Sequence, residues 1–286
     1  LAVFNMLPLP PLDGGRVAVA AGKGAHCRRA GPDFGARSDW PPRSRAAQGV
    51  VDAGGGMTLD IAHMLYLASS WVLPVLLAVT LHEAAHGWVA WKLGDPTAKA
   101  LGRVSMNPFR HIDPVGTVLL PAMLIMLRAP FLFGWAKPVP VNFARLRNPR
   151  RDMVLVALAG PAANLILAFA SALALHGVIY LPTDAANWAI ANIGNSIVLN
   201  VILAVFNMLP LPPLDGGRVA VGLLPRFLAA PLARLERFGM AILIGLIFVL
   251  PLAGRQLGLH FDPFAWLVGG PVNFLSRLIA VAARID

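Results

Sequence analysis

Two histidines and a glutamate stand close together in an apolar part of this 286-residue chain. His82, Glu83 and His86 form the pattern His-Glu-Ala-Ala-His within the apolar run 72–93. Residues four apart on an α-helix share one face, so both imidazoles can reach the same metal ion. Glu83 adjoins that face and is placed to accept a proton from an attacking water. The residue types and their spacing therefore predict a zinc site with a carboxylate base.

The apolar surroundings of these residues strengthen the prediction. Ionisable side chains in such a setting lose hydration, which is costly unless they face a polar cavity or bind a metal. Two unrelated histidines could show the same spacing, but they would not account for the adjacent glutamate. A catalytic zinc ion usually has three protein ligands, so a second part of the chain must contribute one.

A further carboxylate follows a distant apolar stretch. Residues 206–217 read FNMLPLPPLDGG, in which three prolines precede Asp215. Prolines remove backbone donors and end helices, and the glycines Gly216 and Gly217 permit close approach of another part of the chain. An aspartate in this position needs a partner. Asn207 could orient Asp215 or line a substrate groove.

These two motifs together resemble the site-2 protease family of intramembrane zinc metalloproteases. The segments GWAKPVPVN (134–142) and AGPAANL (159–165) resemble the short bacterial members without a PDZ domain. The similarity extends from about residue 57 to the C-terminus. The resemblance implies three zinc ligands and a catalytic base: His82, His86 and Asp215 as ligands, and Glu83 as the base.

Asn164 is a polar residue in another apolar segment, next to the small residues Gly160, Ala162 and Ala163. Small residues let helices approach closely in lipid, so this segment should pack against the helix with the two histidines. Asn164 could form a hydrogen bond between helices. The resemblance implies a second role, in which it holds the substrate carbonyl or an oxyanion near zinc. We favour the second role, because the small residues bring the amide towards the metal.

The composition places the chain in a membrane. It is 57% hydrophobic and 13% charged, whereas soluble domains usually have about a quarter charged residues. The single cysteine, Cys27, excludes an intrachain disulfide and a cysteine-based zinc site. We attribute the net charge of +10 to basic loops on the cytoplasmic face. No basic patch is interleaved with aromatic residues, so we expect the lipid bilayer as a partner and no nucleic acid.

The apolar segments predict an all-α fold, a polytopic membrane helical bundle with three core transmembrane helices and flanking spans or re-entrant segments. The core helices are expected at residues 65–92, 151–180 and 185–208. Residues 115–133 lie between basic loops, so we expect a re-entrant or interfacial hairpin there. Residues 238–252 and 261–283 are further apolar segments. Basic loops after the first and third core helices predict a site in the cytoplasmic half of a bacterial inner membrane.

The first 56 residues differ from the rest of the chain. Residues 1–20 repeat residues 203–222 except at the last position, but no second His-Glu-x-x-His accompanies the copy. Residues 23–56 are rich in Gly, Arg, Ala, Pro and Ser and lack a helical or strand period, so we expect disorder. We interpret residues 1–56 as a disordered or artefactual extension and residues 57–286 as an intramembrane metalloprotease domain.

Together these features predict a zinc-dependent endopeptidase that cleaves transmembrane helices of single-span, membrane-anchored proteins within the bilayer. Two other classes are open. A membrane metal transporter would also place histidine and aspartate in spans, but it does not need a glutamate beside the first histidine. An inactive homologue that binds membrane helices would not need to keep all four chemical residues.

Overall fold

The computed structural model describes residues 3–7, 61–126, 132–250, 254 and 263–285. Four helices among these residues are long and apolar enough to cross a membrane. They are Leu65–Lys92, Pro149–Tyr180, Thr183–Asn207 and Trp266–Ala283. The first three correspond to the predicted core helices. The prediction of an all-α polytopic membrane bundle is confirmed, and the protein is an integral membrane protein.

The α-helices are numbered here in chain order: α1 Ile61–Lys92, α2 Thr97–Ala100, α3 Leu120–Met126, α4 Pro149–Ala174, α5 Thr183–Asn207, α6 Asp215–Leu223, α7 Arg226–Arg234, α8 Gly239–Ile244 and α9 Pro263–Ala283. Short 3-10 helices cover Pro108–Arg110, Phe143–Arg145, Leu175–Tyr180 and Leu235–Phe238. π-helical turns cover Pro114–Leu119 and Gly245–Val249. Two short strands, β1 Val3–Leu7 and β2 Leu132–Trp135, complete the described elements.

Helices α1, α4 and α5 pack against one another and form the centre of the bundle. Small side chains lie at their contacts, because helix association in lipid depends on close van der Waals packing. Ala78 of α1 is fully buried against Leu199 of α5. Ala168 and Ala172 of α4 are fully buried around Val201 of α5, and α9 packs on the outside of the same cluster. The three helices thus provide a rigid frame for polar side chains.

The region between α1 and α4 is irregular. Asp113 accepts hydrogen bonds from the backbone N–H groups of Val115 and Gly116 and so begins the first π-helical turn. Helix α3 follows with seven residues, or about 10 Å, whereas a transmembrane helix needs about 20 residues. The described part of this region agrees with the predicted re-entrant or interfacial segment.

The C-terminal apolar segments differ from each other. Helix α9 contains the fourth candidate span. Helix α8 has six residues and continues into the second π-helical turn. Residues 251–253 and 255–262 lie outside the described part of the chain.

Strand β1 pairs with β2 in an antiparallel arrangement, with Val3 opposite Trp135 and Phe4 opposite Gly134. The sequence predicted disorder for residues 23–56 and a disordered or artefactual extension for residues 1–56, of which the structure describes only residues 3–7. Their β-branched and aromatic residues suit an extended strand that pairs with an open sheet edge. Residues 8–56 lie outside the described residues, so the interpretation of the extension stays a prediction.

Candidate metal centre

Three predicted zinc ligands come together in the bundle. His82 Nε2 and His86 Nε2 lie 3.0 Å apart. Each lies 3.2 Å from Asp215 Oδ2. All three side chains are buried, and together they form a group that could hold a metal ion. With zinc bonds of about 2.0–2.1 Å, tetrahedral ligand atoms would lie about 3.3 Å apart. The spacing of the three atoms is close to that value.

The hydrogen bonds at Nδ1 of the two imidazoles indicate that the Nε2 atoms can bind a cation. His86 Nδ1 lies 2.7 Å from the Val156 carbonyl oxygen. His82 Nδ1 lies 2.5 Å from Asn164 Oδ1. Both oxygens only accept, so each Nδ1 holds the proton and each Nε2 presents a lone pair. Asp215 Oδ2 is buried and receives no hydrogen bond from the described residues. A divalent cation satisfies three such converging lone pairs.

One face of α4 provides the support for both imidazoles. Val156, Gly160 and Asn164 are spaced four residues apart, so they lie on one side of the helix. Val156 contacts His86, and Asn164 contacts His82. A Cβ atom at Gly160 would collide with the Nε2 atoms of both histidines. The predicted packing of this segment against the histidine helix is confirmed, and the missing side chain at Gly160 leaves room for both imidazoles.

Asn164 has a different set of contacts from the one favoured from the sequence. While its Oδ1 contacts His82, its Nδ2 donates to Ala78 O at 3.2 Å and to Asn200 Oδ1 at 2.7 Å. Both amide hydrogens are therefore engaged inside the bundle, and a substrate carbonyl would have to displace one bond. The geometry supports orientation of His82 instead. Asn200, which donates in turn to Ser196 O at 2.8 Å, was missed. Its signal was an asparagine in an apolar span, four residues after a serine.

The proline loop (residues 208–214) presents Asp215 to the histidines. Leu214 is buried with Phe206 and Leu243, which anchors the end of the loop. Cβ atoms at Gly216 and Gly217 would collide with the backbone of the loop, so glycine is required at this approach. The bond between Pro212 and Pro213 is cis.

Asn207 does not make the predicted contact with Asp215. The structure shows its amide donating to the Leu203 carbonyl at 2.9 Å, one turn earlier in α5. This hydrogen bond lies within the helix, and the Asn207 side chain is buried. A role for Asn207 in lining a substrate groove stays a prediction.

Glu83 is held by backbone rather than by another side chain. Its Oε2 accepts a hydrogen bond from the Val139 N–H at 2.7 Å, and only 3% of the residue is exposed. Gly87 lies one turn later on α1, where a Cβ would be 3.1 Å from the Val139 side chain. The absence of a side chain at Gly87 lets the 137–142 segment lie against the helix. Sequence reasoning did not identify Val139.

A cavity of about 230 Å³ joins the base to the metal ligands. Residues 138–141 form one wall, and Arg218 is a cationic side chain in the lining. The Arg218 guanidinium lies 5.6 Å from the Phe143 ring centre and 3.5 Å from Glu236 Oε1. The cavity therefore offers a metal site, an adjacent carboxylate and room for several water molecules.

Two charged residues outside the spans lie behind the cavity wall. Burial raises the pKa of the Asp95 carboxyl, but hydrogen bonds from Thr97 and from the Asn142 N–H outweigh it and hold that pKa below its usual value. Burial lowers the pKa of the Arg103 guanidinium, while the negative charge of Glu83 opposes this shift. Neither residue was singled out from the sequence.

A membrane bundle that encloses a cluster of metal ligands beside a carboxylate is typical of a membrane metalloenzyme. The chain is similar to "Putative zinc metalloprotease YwhC" of Bacillus subtilis, with 40% identity over 198 residues that cover 65% of this chain and 83% of that protein. It is also similar to "Putative zinc metalloprotease Rip2" of Mycolicibacterium smegmatis, with 32% identity over 69% of this chain and 76% of the relative. Rip2 of Mycobacterium tuberculosis shares 32% identity over 82% of this chain and 90% of its own length.

The sequence pattern of peptidase family M50 matches residues 175–252, a region that includes Asp215. The chain belongs to peptidase family M50, the site-2 protease family, and is a zinc metalloprotease. No solved structure matches it with statistical significance.

Proposed function

We propose that this metalloprotease is an intramembrane endopeptidase that hydrolyses peptide bonds in transmembrane helices. The observation that supports the proposal most directly is the place of the ligand cluster. His82 and His86 lie in α1, which is long and apolar enough to cross a membrane. Asp215 meets them immediately after the proline loop that follows α5. A peptidase site at this position acts on chain segments that themselves lie in the bilayer.

In the proposed site His82, His86 and Asp215 would hold zinc, which would act as a Lewis acid and lower the pKa of a water molecule towards neutrality. Glu83 takes the proton of the attacking water and later delivers it to the nitrogen of the leaving amine. The Val139 N–H fixes Glu83 Oε2, so the carboxylate keeps its position through both transfers.

The proposed substrates are single-span, membrane-anchored proteins. Peptide bonds in a transmembrane helix are shielded by hydrogen bonds within the helix, so the substrate must unwind locally. The exposed N–H and C=O groups then need new partners, because the bilayer core supplies none. Backbone beside the cavity could pair with the unwound strand, either in residues 138–141, which line the cavity, or in residues 210–215, the turn segment that ends at Asp215. The bilayer is the second proposed partner, and nucleic acid is not one.

We infer that the active site lies in the cytoplasmic half of a bacterial inner membrane. Basic residues follow α1 and the proline loop, among them Lys99, Arg103, Arg218 and Arg226. Positive charge of this kind is enriched on the cytoplasmic side. The histidines lie in the last third of α1, and Asp215 follows the end of α5, so both charge patterns support the same orientation.

The test compares bacterial cells that express the wild-type chain with cells that express Glu83→Gln. The amide keeps the size of the side chain but cannot take up the proton. We expect fragments of single-span membrane proteins, detected by proteomics, to disappear in the variant, while the purified variant retains as much zinc as the wild type. A metal transporter would keep zinc transport in the variant, and an inactive homologue would yield no fragments in either strain. Identical fragment sets in the two strains would contradict the proposed function.

A further inference from the structure

We propose that Arg103 is a positioning residue for Glu83, and that it acts through the backbone of the 137–142 segment. The inference rests on the proposed role of Glu83 as the base. Arg103 lies outside the transmembrane helices. In this role it holds the wall of the active-site cavity so that the Val139 N–H stays within hydrogen-bond distance of Glu83 Oε2.

The first anchor of the segment is at its N-terminal end. Arg103 Nη2 donates to the Lys137 carbonyl at 2.6 Å and approaches the Pro138 carbonyl at 3.4 Å. The Lys137 N–H donates to the His111 carbonyl at 3.0 Å. These contacts fix the backbone immediately before Val139. A charged donor makes a stronger hydrogen bond than a neutral one, so the Arg103 contact should dominate.

The second anchor is at the C-terminal end of the segment. The Asn142 N–H donates to Asp95 Oδ2 at 2.6 Å, and Asp95 is fully buried. Asp95 Oδ1 in turn accepts the Thr97 N–H at 3.1 Å and the Thr97 hydroxyl at 2.5 Å. The segment is thus held at both ends by charged groups from the loop after α1, with Val139 between them.

The sequence of the segment makes Glu83 depend on one backbone donor. Pro138 and Pro140 have no N–H, so Val139 alone supplies a donor at this point of the cavity wall. A shift of the wall cannot be compensated by a neighbouring residue. Because Glu83 Oε2 accepts a hydrogen bond from the Val139 N–H, a movement of the wall also moves the carboxylate.

The burial of Arg103 supports a role beyond solubility. Only 9% of the residue is exposed, and its Nε–H is buried and donates no hydrogen bond to the described residues. A buried guanidinium with an unused donor is costly. The negative charge of Glu83 favours the charged guanidinium, and the carbonyls of Lys137 and Pro138 accept hydrogen bonds from its Nη2, so these contacts offset the cost of burial.

The experiment compares Arg103→Gln with Arg110→Gln as a matched control. Arg110 belongs to the same loop region and also donates to a backbone carbonyl, that of Gly102 at 2.6 Å, but this hydrogen bond does not involve the 137–142 segment. The probe is a purified reporter with one proline-interrupted transmembrane helix, chosen because the wild type cleaves it and Glu83→Gln does not. This choice establishes the proposed function before Arg103 is tested.

The first readout does not depend on activity. Hydrogen–deuterium exchange of a peptide covering residues 137–142 reports four amides, because the two prolines contribute none. Three of these amides, those of Lys137, Val139 and Asn142, are hydrogen-bonded in the structure. Arg103→Gln should speed exchange in this peptide, whereas Arg110→Gln should leave it at the wild-type rate.

The second readout is kinetic. Arg103→Gln should lower kcat by about tenfold to a hundredfold through misplacement of the base, with a smaller change in KM and full zinc content. Arg103→Lys should retain part of the activity, since it keeps a charged donor. Val139→Pro removes the N–H itself, so combining it with Arg103→Gln should reduce kcat no further than the more severe single change.

Three results would overturn the proposal. They are wild-type kcat and exchange in Arg103→Gln, an equal loss of kcat in Arg110→Gln, and losses that multiply in the double variant. If Arg103→Gln does not fold, the same comparisons apply to Arg103→Lys. Each of these outcomes is compatible with the proposed protease function, because the wild type cleaves the same reporter and Glu83→Gln does not.

Discussion

His82 and Glu83 are neighbours in the chain, yet different parts of the structure support their side chains. His82 belongs to a helical side, where hydrogen bonds connect it to Asn164 of α4 and through that residue to Asn200 of α5. Glu83 belongs to an irregular side, where the Val139 N–H holds the carboxylate. Side chains on packed helices thus fix the metal ligand, and backbone outside the spans fixes the base.

The difference matters for how each side can fail. The helical side lies inside the bundle, so a change there should disturb metal binding before it disturbs chemistry. None of the contacts described above joins the irregular side to a metal ligand. A change there should therefore lower turnover while zinc stays bound. The following predictions test this separation.

The largest effect on the helical side is expected from Gly160→Ala. The added Cβ would collide with both imidazoles, and overpacking of this kind costs as much as about 3 kcal/mol, or about 150-fold in affinity. Zinc affinity, measured by competition with a chelator, should fall by that factor. Gly177→Ala is the control, because a Cβ at Gly177 meets nothing within 4 Å. Equal zinc affinity in the two variants would show that α4 does not approach the ligands as described.

Asn164→Ala should have the next largest effect. Loss of the acceptor for His82 Nδ1 should lower zinc affinity by about tenfold or more, as removal of such supporting groups does in other metal sites. Asn200→Ala, one bond further from the metal, should have a smaller effect. A hundredfold loss of turnover at unchanged zinc affinity would instead restore the carbonyl-binding role that the sequence favoured for Asn164.

The smallest effect is expected from Asp95→Asn, which loosens the irregular side. The folded-state pKa of Asp95 is depressed, so its stabilising effect is complete above the unfolded pKa and is lost as pH falls through the folded pKa. Thermal unfolding in detergent should show a free energy of unfolding that is lower by about 1 kcal/mol at pH 7, a deficit that shrinks below about pH 4. Asp184→Asn, at an exposed position in the first turn of α5, serves as the control. A deficit that does not depend on pH would contradict the assigned role of the carboxylate.

The helical side was largely predictable from the sequence because its residues recur at the spacing of a helical turn. His82 and His86 are four residues apart, and Gly160 and Asn164 repeat the same interval. Apolar length alone located the core helices. Asp215 was assigned through the family resemblance, since no local pattern fixes its distance from the histidines. The contacts of Asn164 could not be predicted, because its partner Asn200 lies on a third helix, and its role in binding the substrate carbonyl stays a prediction.

The irregular side could not be predicted in the same way. Its central contact uses a backbone N–H, and every non-proline residue has one, so Val139 has no signature in the sequence. Arg103 and Asp95 read as ordinary loop charges until the fold places the 137–142 segment beside them. Strand β1 shows a related limit: Val3–Leu7 has the same sequence as residues 205–209, which end a helix. Tertiary contacts decide between the two conformations.

The central claim is that α1 and the residue after the proline loop hold one zinc ion together. X-ray absorption spectroscopy of the zinc-loaded wild type tests it directly. We expect about one zinc per chain, with two imidazole nitrogens and a carboxylate oxygen at about 2.0–2.1 Å. Asp215→Ala should change this set of zinc-bound atoms, and His82→Ala should remove one imidazole. A spectrum with three imidazoles, or one that Asp215→Ala leaves unchanged, would contradict the assignment of Asp215 as the third ligand.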